Sequence, residues 1–214
     1  MAQKTEIKKI VTPEFTVAFP SVFEPEERDD GSKSAQITAI FTPDAIAPLL
    51  EECKRVAKEK FGDKLPKGCN PFRKSDNPND KGTVPATDWS FGEGTVYVSL
   101  SKTVLTRDGK AGVPPTVAVD RNGERKATDD PNEIYPGCKC RAVVSAFAYN
   151  NPQRSGVKLT LWNLLKTNEG ERIGMADADP VNPFADIAVS ANKSLPPVQE
   201  PEATKEEEDP FNEI

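Results

Sequence analysis

The sequence holds no histidine, which removes Ser/His and Cys/His nucleophilic catalysis, imidazole metal sites and histidine proton shuttles from this chain alone. Four cysteines remain: Cys53, Cys69, Cys138 and Cys140. Cys138 and Cys140 would offer two thiolates to zinc. Their wide spacing from Cys53 and Cys69 matches no standard structural site, so free and mostly buried thiols are expected. Carboxylate-metal nuclease chemistry needs no histidine, and Asp177, Asp179 and Glu93 are its nominal ligands. Asp177 and Asp179 fall in a stretch without periodicity, however, and Glu93 has no evident companion. No phosphate-binding P-loop or dinucleotide glycine fingerprint is present. An enzyme is therefore the weaker reading, and no cofactor or metal is expected.

A different chemistry recurs along three segments, in which cations alternate with rings. Side chains on a strand point to opposite faces in turn. In 138–149 one face carries Cys138, Cys140, Ala142, Val144, Ala146 and Ala148, and the other Lys139, Arg141, Val143, Ser145, Phe147 and Tyr149. In 156–166 the apolar face is Val157, Leu159, Leu161 and Leu165, opposite Lys158, Thr160, Trp162, Leu164 and Lys166. In 95–102 Val96, Val98 and Leu100 oppose Tyr97. Such a face suits single-stranded nucleic acid. Lysine and arginine track phosphates, while exposed rings stack on unpaired bases for about 1–3 kcal/mol each. The candidate contacts are Tyr97, Lys139, Arg141, Phe147, Tyr149, Arg154, Lys158, Trp162 and Lys166. The competing reading has the rings covered by other elements and the lysines keeping a sheet edge soluble. Phe72, Arg73, Lys74, Trp89 and Phe91, in a long connection, form either a lid over this face or staples that pin the connection to the core.

The elements that must position these residues are mostly strands. Residues 14–19 and 35–42 are rich in β-branched and aromatic types and precede those above. Residues 116–120 add another strand before the Arg121-Asn122-Gly123-Glu124 turn. Thr42 followed by Pro43 signals a helix start. Ile46, Leu49, Leu50, Cys53, Val56 and Ala57 then share one face as far as Phe61, and Gly62 ends the helix. Residues 62–94 form an irregular segment rich in Pro, Gly, Asn and Asp, of a length that is either functional or disordered. The pattern gives a mainly β (α+β) chain: an OB-fold-type five-stranded β-barrel with one main helix and a disordered acidic C-terminal tail.

Charge divides the chain in the same way. Residues 198–214 carry seven acids and one base, so the whole net charge of −6 resides there, leaving 27 bases and 27 acids in 1–197. Within that neutral body, 137–173 hold six bases against two acids, an asymmetry that points to an anionic ligand. Mean hydropathy is −0.58 with 20 prolines, so part of the chain is expected outside a packed core. The division falls at 1–174 for the binding domain and 175–214 for the tail. The tail ends Glu206-Glu207-Glu208-Asp209-Pro210-Phe211-Asn212-Glu213-Ile214, with Phe211 and Ile214 as apolar anchors within the charge. Pro183-Phe184-Ala185-Asp186-Ile187 repeats its Pro-Phe-x-acid-Ile pattern, which reads as a linear motif for protein partners. No stretch approaches the ~18 apolar residues of a membrane span, and the N-terminus lacks an apolar leader. A soluble, intracellular protein is expected.

By this organisation, leading strands, helix 43–61, strands through 166 and then an acidic tail, the chain resembles the single-stranded DNA-binding proteins of tailed bacteriophages. Asp209-Pro210-Phe211 is also similar to the acidic tip of bacterial single-strand binding proteins, departing from it because Asn212-Glu213-Ile214 follow. The resemblance implies binding and protection of single-stranded DNA without strong sequence preference, in replication, recombination and repair in the cytoplasm of an infected bacterial cell. It also implies recruitment of phage or host replication and recombination proteins through the tail. An RNA-binding OB module is the nearest alternative, since OB barrels serve both polymers. A pure protein adaptor is a further one.

Overall fold

The computed structural model describes residues 7–66, 69–151 and 154–173. The tail expected over 175–214, with Glu206, Glu207, Glu208, Asp209, Phe211 and Ile214, lies outside the described residues, as do Asp177 and Asp179. In chain order the elements are β1 (Ile10–Val11), β2 (Phe15–Ala18), β3 (Glu26–Glu27), β4 (Lys33–Phe41), α1 (Ala47–Phe61), β5 (Arg73–Lys74), α2 (Pro85–Asp88), β6 (Val96–Leu105), β7 (Thr116–Arg121), β8 (Glu124–Ala127), β9 (Lys139–Asn150) and β10 (Ser155–Asn168). The chain is thus mostly β with one main helix.

Five strands close a ring: β2 pairs with β4, β4 with β6, β6 with β10, β10 with β9, and β9 returns to β2. Only the β6–β10 contact within this ring is parallel. Alternation puts Val96, Val98 and Leu100 of β6 into the ring's interior, with Ile37, Ala39 and Phe41 of β4, Cys140, Ala142 and Val144 of β9, and Leu159 and Leu161 of β10. Removing these apolar groups from water is what drives closure, at roughly 25 cal/mol per Å². Outside the ring, β7 runs parallel to β10 and forms a hairpin with β8. The Asn-Gly pair supplies the turn residues expected there, since Asn122 (φ 58°) and Gly123 (φ 85°) are both left-handed.

Helix α1 buries Leu49, Cys53 and Ala57 against the ring, and the Gly62 N–H donates to the Lys58 carbonyl at its end. Its start differs from expectation. Pro43–Ile46 form a 3-10 turn and the α-helix begins at Ala47, while the Thr42 side chain makes no capping bond. Proline suits both kinds of helical start, so the Thr-Pro signal marked the change of direction but not the geometry. Glu52 is buried on this helix at 4% exposure, engaged by Arg55 and by Lys8. The Arg55 bond, opposed by burial and helped by Lys8, holds its carboxyl below the usual range. Burial, with Glu52 alongside, pushes the Cys53 thiol up to about 12. All four cysteines are free, and the Sγ atoms of Cys138 and Cys140 lie 3.8 Å apart in the interior.

The alternation read from 156–166 fails halfway. Leu161 pairs with Val144, but Asn163 pairs with Val143, so β10 carries a bulge at Trp162. One extra residue reverses which face each later side chain takes. Leu164 is therefore in the core and Leu165 is not. Lys166, expected on the outer face, is instead buried at 6% exposure. Its ammonium pairs with Glu133 at 3.2 Å and Glu169 at 2.7 Å, and stands over the Tyr135 ring. Burial works against this charge, but the bonds to Glu169 and Glu133 more than offset it, and its pKa is raised. The Tyr135 hydroxyl donates to Glu169 at 2.6 Å, so the cluster fastens the end of β10 to the segment before β9.

The irregular segment 62–94 is held at its middle. β5 pairs with β6, the Ser75 N–H donates to the Thr95 carbonyl while its hydroxyl reaches the Gly92 carbonyl at 2.9 Å, and α2 follows. Phe72 enters the main core at 8% exposure. Phe91, at 5%, covers Ala18 and Ile40 on the outer side of the ring. For these two rings the staple reading holds, and Phe72 cannot act from a lid.

Candidate nucleic-acid interface

Register aligns the outer side chains of four neighbouring strands into rows. Thr38 lies opposite Ser99, Gln36 opposite Ser101, Ser101 beside Thr160, and Thr160 opposite Ser145. In the rows nearer the β9–β10 connection, Phe147 faces Lys158 and Tyr149 faces Gly156. The middle of this surface is floored by small hydroxyls, with large side chains at its margins.

A cleft of about 410 Å³ opens on these rows. Its floor includes Thr38, Tyr97 and Ser99; Tyr149 and Lys158 form one wall, and Asn70, Pro71 and Arg73 the other. Arg73 is exposed and pairs through its backbone with Tyr97 of β6, so the connection contributes a cation and not a cover. Lys158 stands 5.8 Å from the centroid of Phe147, whose ring is 53% exposed. The Lys158 pKa is lowered, first by loss of solvent around the ammonium and then by the charge of Arg28. The charge of Arg28, close enough to act on Lys158 beside the exposed Phe147 ring, favours an anionic ligand, because a phosphate near both cations offsets their repulsion. Tyr97 is half-buried with Phe91 at 5.3 Å, and Trp89 and Phe19 extend the same aromatic cluster.

The structure thus brings Tyr97, Arg73, Tyr149, Lys158 and Phe147 together from four distant segments. Arg141, Arg154 and Lys74 are exposed but line no part of this cleft. Lys139 is half-buried, its ammonium donating to the Thr16 hydroxyl at 2.7 Å. Trp162 is half-buried with its indole N–H donating to the Ser145 hydroxyl at 2.9 Å. Phe72 and Lys166 are in the interior, Phe72 as a core staple and Lys166 because of the bulge. Arg28 was missed, since nothing in a polar loop marks which of its charges folds back to the sheet. Lys9 and Lys102, each 4.4 Å from the Trp162 ring centroid, were missed as well. For Lys102 a signal existed: a lysine in the register of Val96, Val98 and Leu100 has to be explained.

A family model described as the Enterobacter phage Enc34 ssDNA-binding protein matches residues 8–193. The chain belongs to this family. The match spans the whole ring and continues past the described residues through Pro183-Phe184-Ala185-Asp186-Ile187, stopping before the acidic end. Among solved structures, the single-stranded DNA-binding protein of bacteriophage Enc34 in complex with ssDNA superposes with a TM-score of 0.59 at 19% identity, covering 77% of this chain and 88% of that one. A C-terminal truncation of the Enc34 protein gives 0.58 at 20%, covering 77% and 87%. The single-stranded DNA-binding protein gp2.5 of bacteriophage T7 gives 0.52 at 17%, covering 85% and 94%. At these identities the likeness is one of fold, and it agrees with the OB-type organisation expected from the sequence. No curated protein matches the sequence.

Proposed function

We propose that this chain binds and protects single-stranded DNA without strong sequence preference, and that the Tyr97–Tyr149–Lys158–Arg73 cleft is where it does so. The observation that carries the reading is the convergence of the half-buried Tyr97 and Tyr149 and the exposed Phe147 with Arg73 and Lys158, which have no carboxylate partner among the described residues, on one hydroxyl-floored surface of the ring. Rings stack on any base and cations follow any phosphate, so such a surface is tolerant of sequence. The family to which the chain belongs, and the Enc34 neighbour solved with ssDNA, support DNA as the polymer. The activity is binding and not turnover, and the chain has no histidine with which to build the commonest catalytic sites.

The setting proposed is phage DNA replication, recombination and repair inside the infected bacterial cell. Among the described residues no helix is long and apolar enough to cross a membrane. The acidic end, Glu206 to Ile214, recruits replication proteins through Phe211 and Ile214. Without DNA the same tail competes for the cationic cleft, because tethering gives it a high effective concentration. Deleting residues 198–214 is expected to tighten oligothymidine binding severalfold at low salt, with the gain shrinking as salt screens the tail. Fluorescence anisotropy at two ionic strengths measures this, and an unchanged affinity at low salt would remove the competitive role.

A further inference from the structure

A second cationic and aromatic cluster is centred on Trp162 at the β10 bulge. The ammonium groups of Lys9 and Lys102 each stand 4.4 Å from the centroid of its ring. Among the described residues neither has a carboxylate partner. Lys102 is half-buried, and its pKa is lowered by loss of solvent and then by the charge of Lys9. The face of an indole attracts each cation but neutralises neither, so their mutual repulsion stands until an anion arrives.

Beside the ring lies a groove of about 480 Å³, between β9–β10 and helix α1. Phe147, Thr160 and Trp162 line one side, and Lys8, Arg55 and Lys60 stand on the other. Its two carboxylates, Glu52 and Glu59, are already engaged by Arg55, and Glu52 by Lys8 as well. Phe147, which lines the groove, lies 5.8 Å from the ammonium of Lys158, which lines the first cleft. From Gly156 beside Tyr149 to Trp162 is six residues of β10, about 20 Å at the usual rise per residue.

We propose that Lys9, Lys102 and Trp162 form a second subsite for the same DNA strand. The two ammonium groups take one backbone phosphate, and the groove beside Phe147 receives the intervening nucleotides. This rests on the binding proposed above and extends its path from the first cleft to the N-terminal segment. The subsite is a matter of strand length: a short oligonucleotide fills the Tyr97–Tyr149 cleft alone, and a longer one reaches Trp162.

The test uses the full chain, a Lys9→Gln/Lys102→Gln variant, and oligothymidines of about six and about sixteen nucleotides, within the range of single OB sites. The variant is expected to bind the long oligomer about tenfold more weakly, with a salt slope reduced by about 0.7 for the lost phosphate contact. Binding of the short oligomer is expected to be unchanged. In a Trp89→Phe chain, where Trp162 is the sole tryptophan, only the long oligomer should alter the emission. Unchanged affinity for both lengths, or equal loss for both, would overturn the subsite, as would Trp162 emission indifferent to the long oligomer. Failure of the unsubstituted chain to bind either length contradicts the primary cleft instead.

Discussion

Replacing Tyr97 and Tyr149 together by alanine is expected to weaken oligothymidine binding by about two orders of magnitude, since each stacked base contributes about 1–3 kcal/mol. The ring and not the hydroxyl makes the stack, so the Tyr→Phe pair should retain most of the affinity. Neither change removes a charge. The dependence of affinity on salt should therefore keep its slope while the whole line drops. Lys158→Gln should do the reverse, with a modest loss at low salt and a slope shallower by about 0.7. Anisotropy titrations over a salt series separate the two effects. Alanine replacement of both tyrosines without loss of binding would move the interface away from this cleft.

The largest expected loss of stability comes from Gly137→Ala. Gly137 has φ of 109°, and a Cβ there would stand 1.9 Å from the Glu171 carbonyl oxygen. Neither strand of chain is free to retreat. The Gly137 N–H donates to the Val17 carbonyl, the Ile173 N–H to the Pro136 carbonyl, and the Gly170 N–H to the Tyr135 hydroxyl. Backbone strain and the steric conflict together are expected to cost about 2–4 kcal/mol, read as a lowered urea midpoint. Gly109→Ala, also left-handed at φ 73° but with nothing within 4 Å of its Cβ, is the control and should cost about 1 kcal/mol. A Gly137→Ala chain within about 0.5 kcal/mol of the control would mean that residues 169–173 are not clamped there.

Much of this arrangement was legible in the residues, because a strand with one wet face writes its own alternation. Val96, Val98 and Leu100 declared the interior of β6, and the small apolar face of 138–149 declared that of β9. The Asn122-Gly123 turn was legible because few residues tolerate its backbone. What could not be read was where that regularity breaks. A bulge inserts one residue without a sequence mark, so Leu164, Leu165 and Lys166, which follow it, take the opposite side from the one their alternation indicates. The trace it left was Leu164 sharing a face with Trp162 and Lys166, an apolar residue out of place. Phe72 and Phe91 showed the opposite limit: a loop's composition does not tell whether its rings face the core or a ligand. Arg28, Lys9 and Lys102 reach the surface through contacts between segments distant in sequence, to which local patterns are blind.

The central claim is that this ring of strands binds single-stranded DNA on its outer cationic and aromatic surface. The most direct measurement is a salt titration of poly-dT binding by the full chain and by the chain lacking residues 198–214. The expected result is saturable binding by both, with log affinity falling linearly against log salt at about 0.7 for each phosphate neutralised. Binding absent from both chains even at low salt would contradict the claim outright.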